Sequence, residues 1–285
     1  MLTCSIPRLE QLYRSVQQIN RLMAIDTEVE GALGLSKPGG IQGAINISKI
    51  GLRYPKESDP VFVGLNFNVE PGEMLAIAGA NGSGKSTVLK LALGLYRPQA
   101  GAVYIDGRDI RQIDPMRLRQ SISYVPQIPE IFEGTIAENL RMGNAFASDS
   151  QLWYALELAD AKALIQALPH GLETYITNDS EILRNNLMHQ LVLARAYVKD
   201  APILLIDELP YTLLNSHAGD VFIAQMREWR KQKTIMMNSH RDDHIRVCDR
   251  AVGLLDGGRF IVGSPERVIK QIRDESYNQL LKRSA

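Results

Sequence analysis

The spacing of apolar positions changes along the chain, and each change marks an element. Within residues 8–30, Leu9, Leu12, Tyr13, Val16, Ile19, Leu22 and Met23 recur at steps of three and four, the stripe of a helix. Such a helix either packs on the body of the protein or continues something upstream. Gly31, Gly34, Pro38, Gly39, Gly40 and Gly43 then break every period, as a linker between modules does. Past Ile45 the period shortens. Ile45–Tyr54 and Val61–Val69 alternate loosely around a turn, Pro55–Pro60, and predict two strands. Glu73–Gly79 predicts a buried strand leading through a glycine-rich loop into a helix, Lys85–Leu95. Val103–Ile105 precedes the hairpin dipeptide Asp106-Gly107, and Ile122–Val125 is a further short strand.

Residues 134–199 carry almost no strand signal. Helical periods run through Ile136–Met142, Gln151–Leu158, Ala161–Leu168 and Leu183–Val198. Strands return at Ile203–Ile206 and Thr234–Met237, with a helix near Ala218–Arg230 between them. Ala251–Leu255 and Arg259–Val262 enclose Asp256-Gly257-Gly258, and a charged helix follows Pro265. Strands thus alternate with helices around one all-helical insertion. The expected fold is an α/β core with a parallel sheet and an inserted helical subdomain at about 130–199.

Composition narrows the classes. The chain has 285 residues, 45% hydrophobic and 22% charged, ample for a core. Lys+Arg and Asp+Glu are both 32, so the net charge is zero and nothing in bulk electrostatics favours nucleic acid. Cys4 and Cys248 lie far apart, which excludes a disulfide framework or cysteine zinc site. No run approaches the roughly 20 apolar residues of a membrane span, so this stretch is expected to be soluble. The arginines at 108, 111, 117 and 119 read as a solvated face, Trp153 and Trp229 as packing residues, and Met23, Met142 and Met226 as core filler.

The chemistry concentrates in two places. Gly79-Ala-Asn81-Gly82-Ser83-Gly84-Lys85-Ser86-Thr87 fits the phosphate-binding loop G-x-x-x-x-G-K-[ST], in the strand–loop–helix context that loop requires. Its glycines let backbone N–H groups converge, and the helix N-terminus adds positive potential. Lys85 is expected to reach the β/γ-phosphates of a nucleotide, and the Ser86 hydroxyl to bind Mg²⁺. In Ile203-Leu-Leu-Ile-Asp207-Glu208 an apolar strand delivers Asp207 to its carboxyl end, where open α/β sheets bind ligands. Asp207 is placed to hold Mg²⁺ through water, and Glu208 to polarise an attacking water.

With these motifs in this order, the chain from about Ile45 to Lys270 resembles the nucleotide-binding domain of an ABC transporter of the exporter type: a P-loop ATPase core with a mixed sheet, an antiparallel β subdomain and an inserted helical subdomain. The resemblance implies ATP and Mg²⁺ as ligands. It implies that Tyr54 stacks on adenine, that Gln127 in Tyr124-Val-Pro-Gln-Ile-Pro touches Mg²⁺ and senses the transmembrane partner, and that His240 in Met237-Asn-Ser-His-Arg contacts the γ-phosphate. His170, His189, His217 and His244 match nothing in the pattern. Ile131-Phe-Glu-Gly-Thr-Ile-Ala-Glu-Asn-Leu140 is similar to the segment after the glutamine loop of exporters, and the whole resembles type I secretion exporters, which move proteins or peptides. Residues 1–43 then resemble the extension of a last transmembrane helix, with 44–285 as the nucleotide-binding domain of a longer half-transporter at the cytoplasmic face of the inner membrane. Partners would be a transmembrane domain and a second nucleotide-binding domain.

Three segments depart from the family. The signature LSGGQ reads Leu183-Arg184-Asn185-Asn186-Leu187, without the serine, glycines or glutamine. Thr177-Asn-Asp-Ser180 replaces an acidic, glycine-containing loop. Leu209-Pro-Tyr-Thr-Leu-Leu214 replaces A-T-S-A-L-D, so Leu214 stands for the coupling aspartate, with Asn215 one position on. Residues serving this chain's own nucleotide are kept, and those offered across a head-to-tail dimer are lost. That pattern suggests one half of a heterodimer, weak alone. A homodimer tolerating the altered signature, and a regulatory module that binds ATP without turnover, remain alternatives.

Overall fold

A computed structural model describes residues 13–20, 23, 40–55, 57, 59–177, 179–183 and 187–283. Residues 13–20 are helical (α1). The chain continues with β1 (Ile45–Leu52), β2 (Phe62–Val69), β3 (Met74–Gly79), α2 (Lys85–Ala92), β4 (Ala100–Ile105), β5 (Arg108–Asp109), α3 (Pro115–Gln120) and β6 (Ile122–Val125). The middle holds β7 (Gly134–Thr135), α4 (Ile136–Arg141), α5 (Asp149–Leu158), α6 (Lys162–Gln166), β8 (Tyr175–Ile176) and α7 (Leu187–Lys199). It closes with β9 (Ile203–Ile206), α8 (Tyr211–Leu214), α9 (His217–Trp229), β10 (Thr234–Asn238), α10 (Asp242–Val247), β11 (Arg250–Leu254), β12 (Phe260–Gly263) and α11 (Pro265–Arg283).

A six-stranded sheet in the order β12-β11-β3-β10-β9-β6 forms the centre, parallel except where β12 pairs antiparallel with β11. A four-stranded antiparallel sheet, β2-β1-β4-β5, packs beside it. All six residues of β3 are buried, and strand alternation sorts them. Met74, Ala76 and Ala78 face the helical subdomain with Leu204, Ile206, Ile235 and Met237. Leu75 and Ile77 face the antiparallel sheet and α2 with Ile203, Leu205, Met236 and Val252. The central strands therefore serve two cores at once, and each fully buried aliphatic side chain contributes roughly 1.5–3 kcal/mol.

Local signals explain the insertion. Thr135 and Glu138 form a reciprocal capping box at α4, as Ser148 and Gln151 do at α5. Asp106 (φ 49°) and Gly107 (φ 75°) both adopt the left-handed turn that joins β4 to β5. The sequence missed the two-residue ladder β7–β8 and the short helices α3, α8 and α10, since each is shorter than the window in which a period can show. Trp153 and Trp229 pack on the helical-side core as expected. Met226 is fully buried, but Met142 and Met23 are 56% and 81% exposed, so the core reading of those two was wrong. Met142 ends α4 on the solvent side, where an apolar side chain does not need a core. The described part of α1 also exposes Tyr13, Val16 and Ile19, so its stripe is not buried on this chain. The rest of residues 8–30 lies outside the described residues. Among the described residues no helix is long and apolar enough to cross a membrane.

Candidate functional site

Register brings the chemistry together. β3, β10 and β9 are neighbours and parallel, so their carboxyl ends open side by side. Ile206 pairs with Met237, which sets Asp207 beside Asn238, and Asn238 pairs with Ile77, two residues before Gly79 of the phosphate loop. Backbone bonds extend the sheet past the strands: Asp207 N–H donates to Val125 O at 2.8 Å, and Ser239 N–H to Ile77 O at 3.1 Å.

The loop after β3 wraps the start of α2. Gly84, the N-cap residue, sits at φ 93°, and a Cβ there would lie 2.6 Å from Val61 Cγ1 and 2.8 Å from Phe62 Cζ. Only glycine fits that turn. Lys85 is buried, and its ammonium donates to Gly79 O (3.0 Å) and Ala80 O (3.1 Å). Burial pushes its pKa below the ordinary lysine value, against the pull of Glu208 and Asp207. Ser83 Oγ is buried without a partner among the described protein atoms, in the middle of a loop built to meet an anion. Asn81 and Gly82 lie exposed at the loop's rim.

Asp207 is the hub and is 3% exposed. Its Oδ1 accepts from Ser86 Oγ at 2.9 Å and from Asn238 Nδ2 at 2.7 Å, and its Oδ2 accepts from Tyr124 OH at 3.3 Å. Burial first, and the adjacent Asp207 charge second, push the Tyr124 phenol well above its usual pKa, so it stays a donor. Asn238 Oδ1 is also buried without a partner among the described protein atoms. An acceptor stranded this way typically costs about 1–3 kcal/mol.

The adjacent carboxylate is held from both sides. Gln127 Nε2 donates to Glu208 Oε2 at 3.4 Å, and His240 Nδ1 makes a short bond to Glu208 Oε1. An ionised carboxylate only accepts, so Nδ1 carries the proton and Nε2 is the ring nitrogen left for a substrate. The arrangement can bind an anion on the loop, orient a water at Glu208 and take its proton. Tyr54 lies to one side of this cluster. Its hydroxyl shares a 2.7 Å bond with Thr87 Oγ1, and its ring meets Tyr96 edge-on with centroids 5.5 Å apart. A 560 Å³ pocket opens beside it, between Arg53, Glu57, Phe62 and Gln99. A larger cleft of 670 Å³, near Arg117 and Lys233, is remote from every residue of this cluster and carries no part of its chemistry.

Of the expected residues, the structure brings Lys85, Ser86, Gln127, Asp207, Glu208 and His240 together, with Asn81 and Gly82 at the rim and Tyr54 to one side. Sequence reasoning missed Tyr124 and Asn238, although both stand inside segments it singled out. Of the altered signature, Arg184, Asn185 and Asn186 lie outside the described residues, while Leu183 and Leu187 are buried in the helical-side core. In the segment after Glu208, Leu209 and Leu213 are buried and Leu214 packs on the same core. Asn215 Oδ1 accepts from Arg241 Nη1 at 2.6 Å, and the Arg241 guanidinium also lies 5.6 Å over the Tyr211 ring. Of the remaining histidines, His189 hydrogen-bonds the Gln127 backbone, His217 pairs with Asp160 at 3.0 Å, and His244, on α10, is buried.

Comparison with known proteins identifies the family. The family described as ABC transporter matches residues 62–210. The chain is 33% identical over 254 residues to the ATP-dependent lipid A-core flippase of Thiobacillus denitrificans, covering 88% of this chain and 44% of the relative. It is 32% identical over 255 residues to the mycobactin import ATP-binding/permease protein IrtB of Mycobacterium bovis, covering 90% and 44%. A solved structure of a bacterial Atm1-family ABC exporter with ATP bound superposes with a TM-score of 0.83 at 28% identity, over 97% of this chain and 48% of that one. The chain therefore spans less than half the length of these relatives.

Proposed function

The chain belongs to the ABC transporter family, as its ATP-binding domain, and on that premise we propose that it hydrolyses ATP to power an exporter from the cytoplasmic face of the inner membrane. The observation that carries this reading is the convergence of Lys85, Ser86, Asp207, Glu208 and His240 on the carboxyl ends of three adjacent parallel strands.

Each side chain has a part. The loop N–H groups and Lys85 bind the β/γ-phosphates, for which Lys85 exchanges the carbonyls it now holds. Glu208 orients the attacking water and takes its proton, with Gln127 and His240 fixing its two oxygens. His240 turns Nε2 to the γ-phosphate. Tyr54 offers its ring face to adenine. The residues fit Mg²⁺: among the described residues no cluster of three or more His, Cys, Asp or Glu forms a cage, and one hydroxyl, one carboxylate and substrate phosphates are the donor set this hydrated ion takes. Ser86, Asp207 and Gln127 would hold it. The ion would supply neutralisation of charge on the phosphate oxygens.

We read residues 44–285 as this domain and 1–43 as the extension of a transmembrane helix, with the transmembrane domain and a second nucleotide-binding domain as partners. The replaced signature favours a partner of different sequence, whose intact signature closes over this chain's nucleotide. A protein or peptide cargo rests only on the resemblance of the whole chain to type I secretion exporters. The relatives described above are a flippase and an import protein by name, so cargo identity does not follow from this domain.

The test is ATP turnover by the purified chain, alone and mixed with a domain carrying LSGGQ. Weak activity alone and strong stimulation by the mixture is expected, abolished by Glu208→Gln. Full turnover alone would refute the heterodimer. Stimulated turnover that survives Glu208→Gln would refute hydrolysis at this site.

A further inference from the structure

Between Thr234 and Asn238, β10 is apolar. Ile235, Met236 and Met237 are buried, and Asn238, 2% exposed, follows them into the same interior. A leucine or valine would fill that position without a desolvation cost, so a buried amide calls for a partner on each end. One end has it. The Asp207 carboxylate can only accept, which forces the amide nitrogen toward it at 2.7 Å and leaves Oδ1 as the stranded atom. The unpaired acceptor therefore sits one amide width from the carboxylate hub, beside the residues that serve the phosphates.

We propose that Asn238 is a positioning residue for the metal-bound nucleotide: its nitrogen fixes the Asp207 carboxylate, and its oxygen accepts a hydrogen bond from a water of the Mg²⁺ shell. Ser86 and Asn238 share Asp207 Oδ1. When Ser86 turns its hydroxyl oxygen to the ion, Asn238 becomes the donor that keeps Oδ1 in place, while Tyr124 keeps Oδ2. The carboxylate then cannot swing, and the ion's water finds an acceptor already desolvated. Partners that orient a metal's ligands in this way typically change metal affinity by about 10–100-fold.

This inference rests on the reading of Ser86 and Asp207 as the magnesium site. It is tested by measuring ADP binding to the purified chain across a Mg²⁺ titration and in EDTA. Asn238→Leu keeps the shape and removes both polar groups, and Asn238→Ala serves if the leucine variant does not fold. The Mg²⁺ midpoint should rise tenfold or more while ADP affinity in EDTA stays within about twofold of wild type. A midpoint unchanged in a folded variant overturns the proposal, and so does an equal loss of affinity in EDTA, which would mark a purely structural amide. If the wild type itself shows no Mg²⁺ dependence, or Ser86→Ala does not alter it, the underlying reading of the site fails instead.

Discussion

Two regions of the molecule, the strand ends around Asp207 and residues 209–215, are built in opposite ways. The region serving the chain's own nucleotide stands on strand ends, where Asp207 receives three side-chain donors and Glu208 two partners. Residues 209–215, which the proposed reading sets toward a second domain, pack inward. Leu213 is fully buried, Leu214 lies against the helical-side core, and Asn215 is clasped by Arg241 of the same chain. These residues form a short helical turn, α8, held against the core. The two stretches draw on separate elements, so on the proposed reading one can change without disturbing the other.

The largest expected effect tests the competent side. Glu208→Gln should lower partner-stimulated hydrolysis by about 10²–10⁴-fold while nucleotide binding persists, read by phosphate release and equilibrium binding. Unchanged binding with unchanged turnover would break the contrast. Next comes the segment that the proposed reading takes as an altered signature. Arg184→Ser with Asn185→Gly and Asn186→Gly, leaving the buried Leu187, should raise turnover of the chain alone by about 10²–10³-fold, the usual worth of one group that stabilises transition-state charge. No gain would mean that the deficit lies elsewhere, with α8 the first place to look. Leu213→Ala should cost about 2–5 kcal/mol in chemical denaturation, since its side chain has no exposure. A smaller loss would show that α8 is not fixed to the core.

The smallest effect concerns acid stability. Burial holds the pKa of His244 below the ordinary histidine value, outweighing Asp243. The unfolded chain therefore takes up the proton first as pH falls. Stability contributed by neutral His244 is full above about pH 6.5 and declines below it. Denaturation at pH 7.5 and 5.5 should show this loss in the wild type and less of it in His244→Leu.

Long elements and motif residues were legible because each carries its signal locally: β3, α2, β9 and α7 all show a period or a glycine pattern, and Lys85, Asp207 and Glu208 sit at fixed offsets from them. Tyr124 and Asn238 were not, because their value is relational. An asparagine closing an apolar strand looks like the first loop residue. Only the pairing of Ile206 with Met237 sets it against Asp207. The ladder β7–β8 and the short helix α8 were invisible for the same reason, since tertiary contacts and not propensity make them. Met23 and Met142 were misread because a helical period reports a stripe, not what covers it.

Lys85 braces the phosphate loop by bonding two of its carbonyls. The cradle is thus self-propped, and an arriving triphosphate trades one set of bonds for another without first having to order the backbone. Capture of nucleotide should accordingly proceed at close to encounter speed.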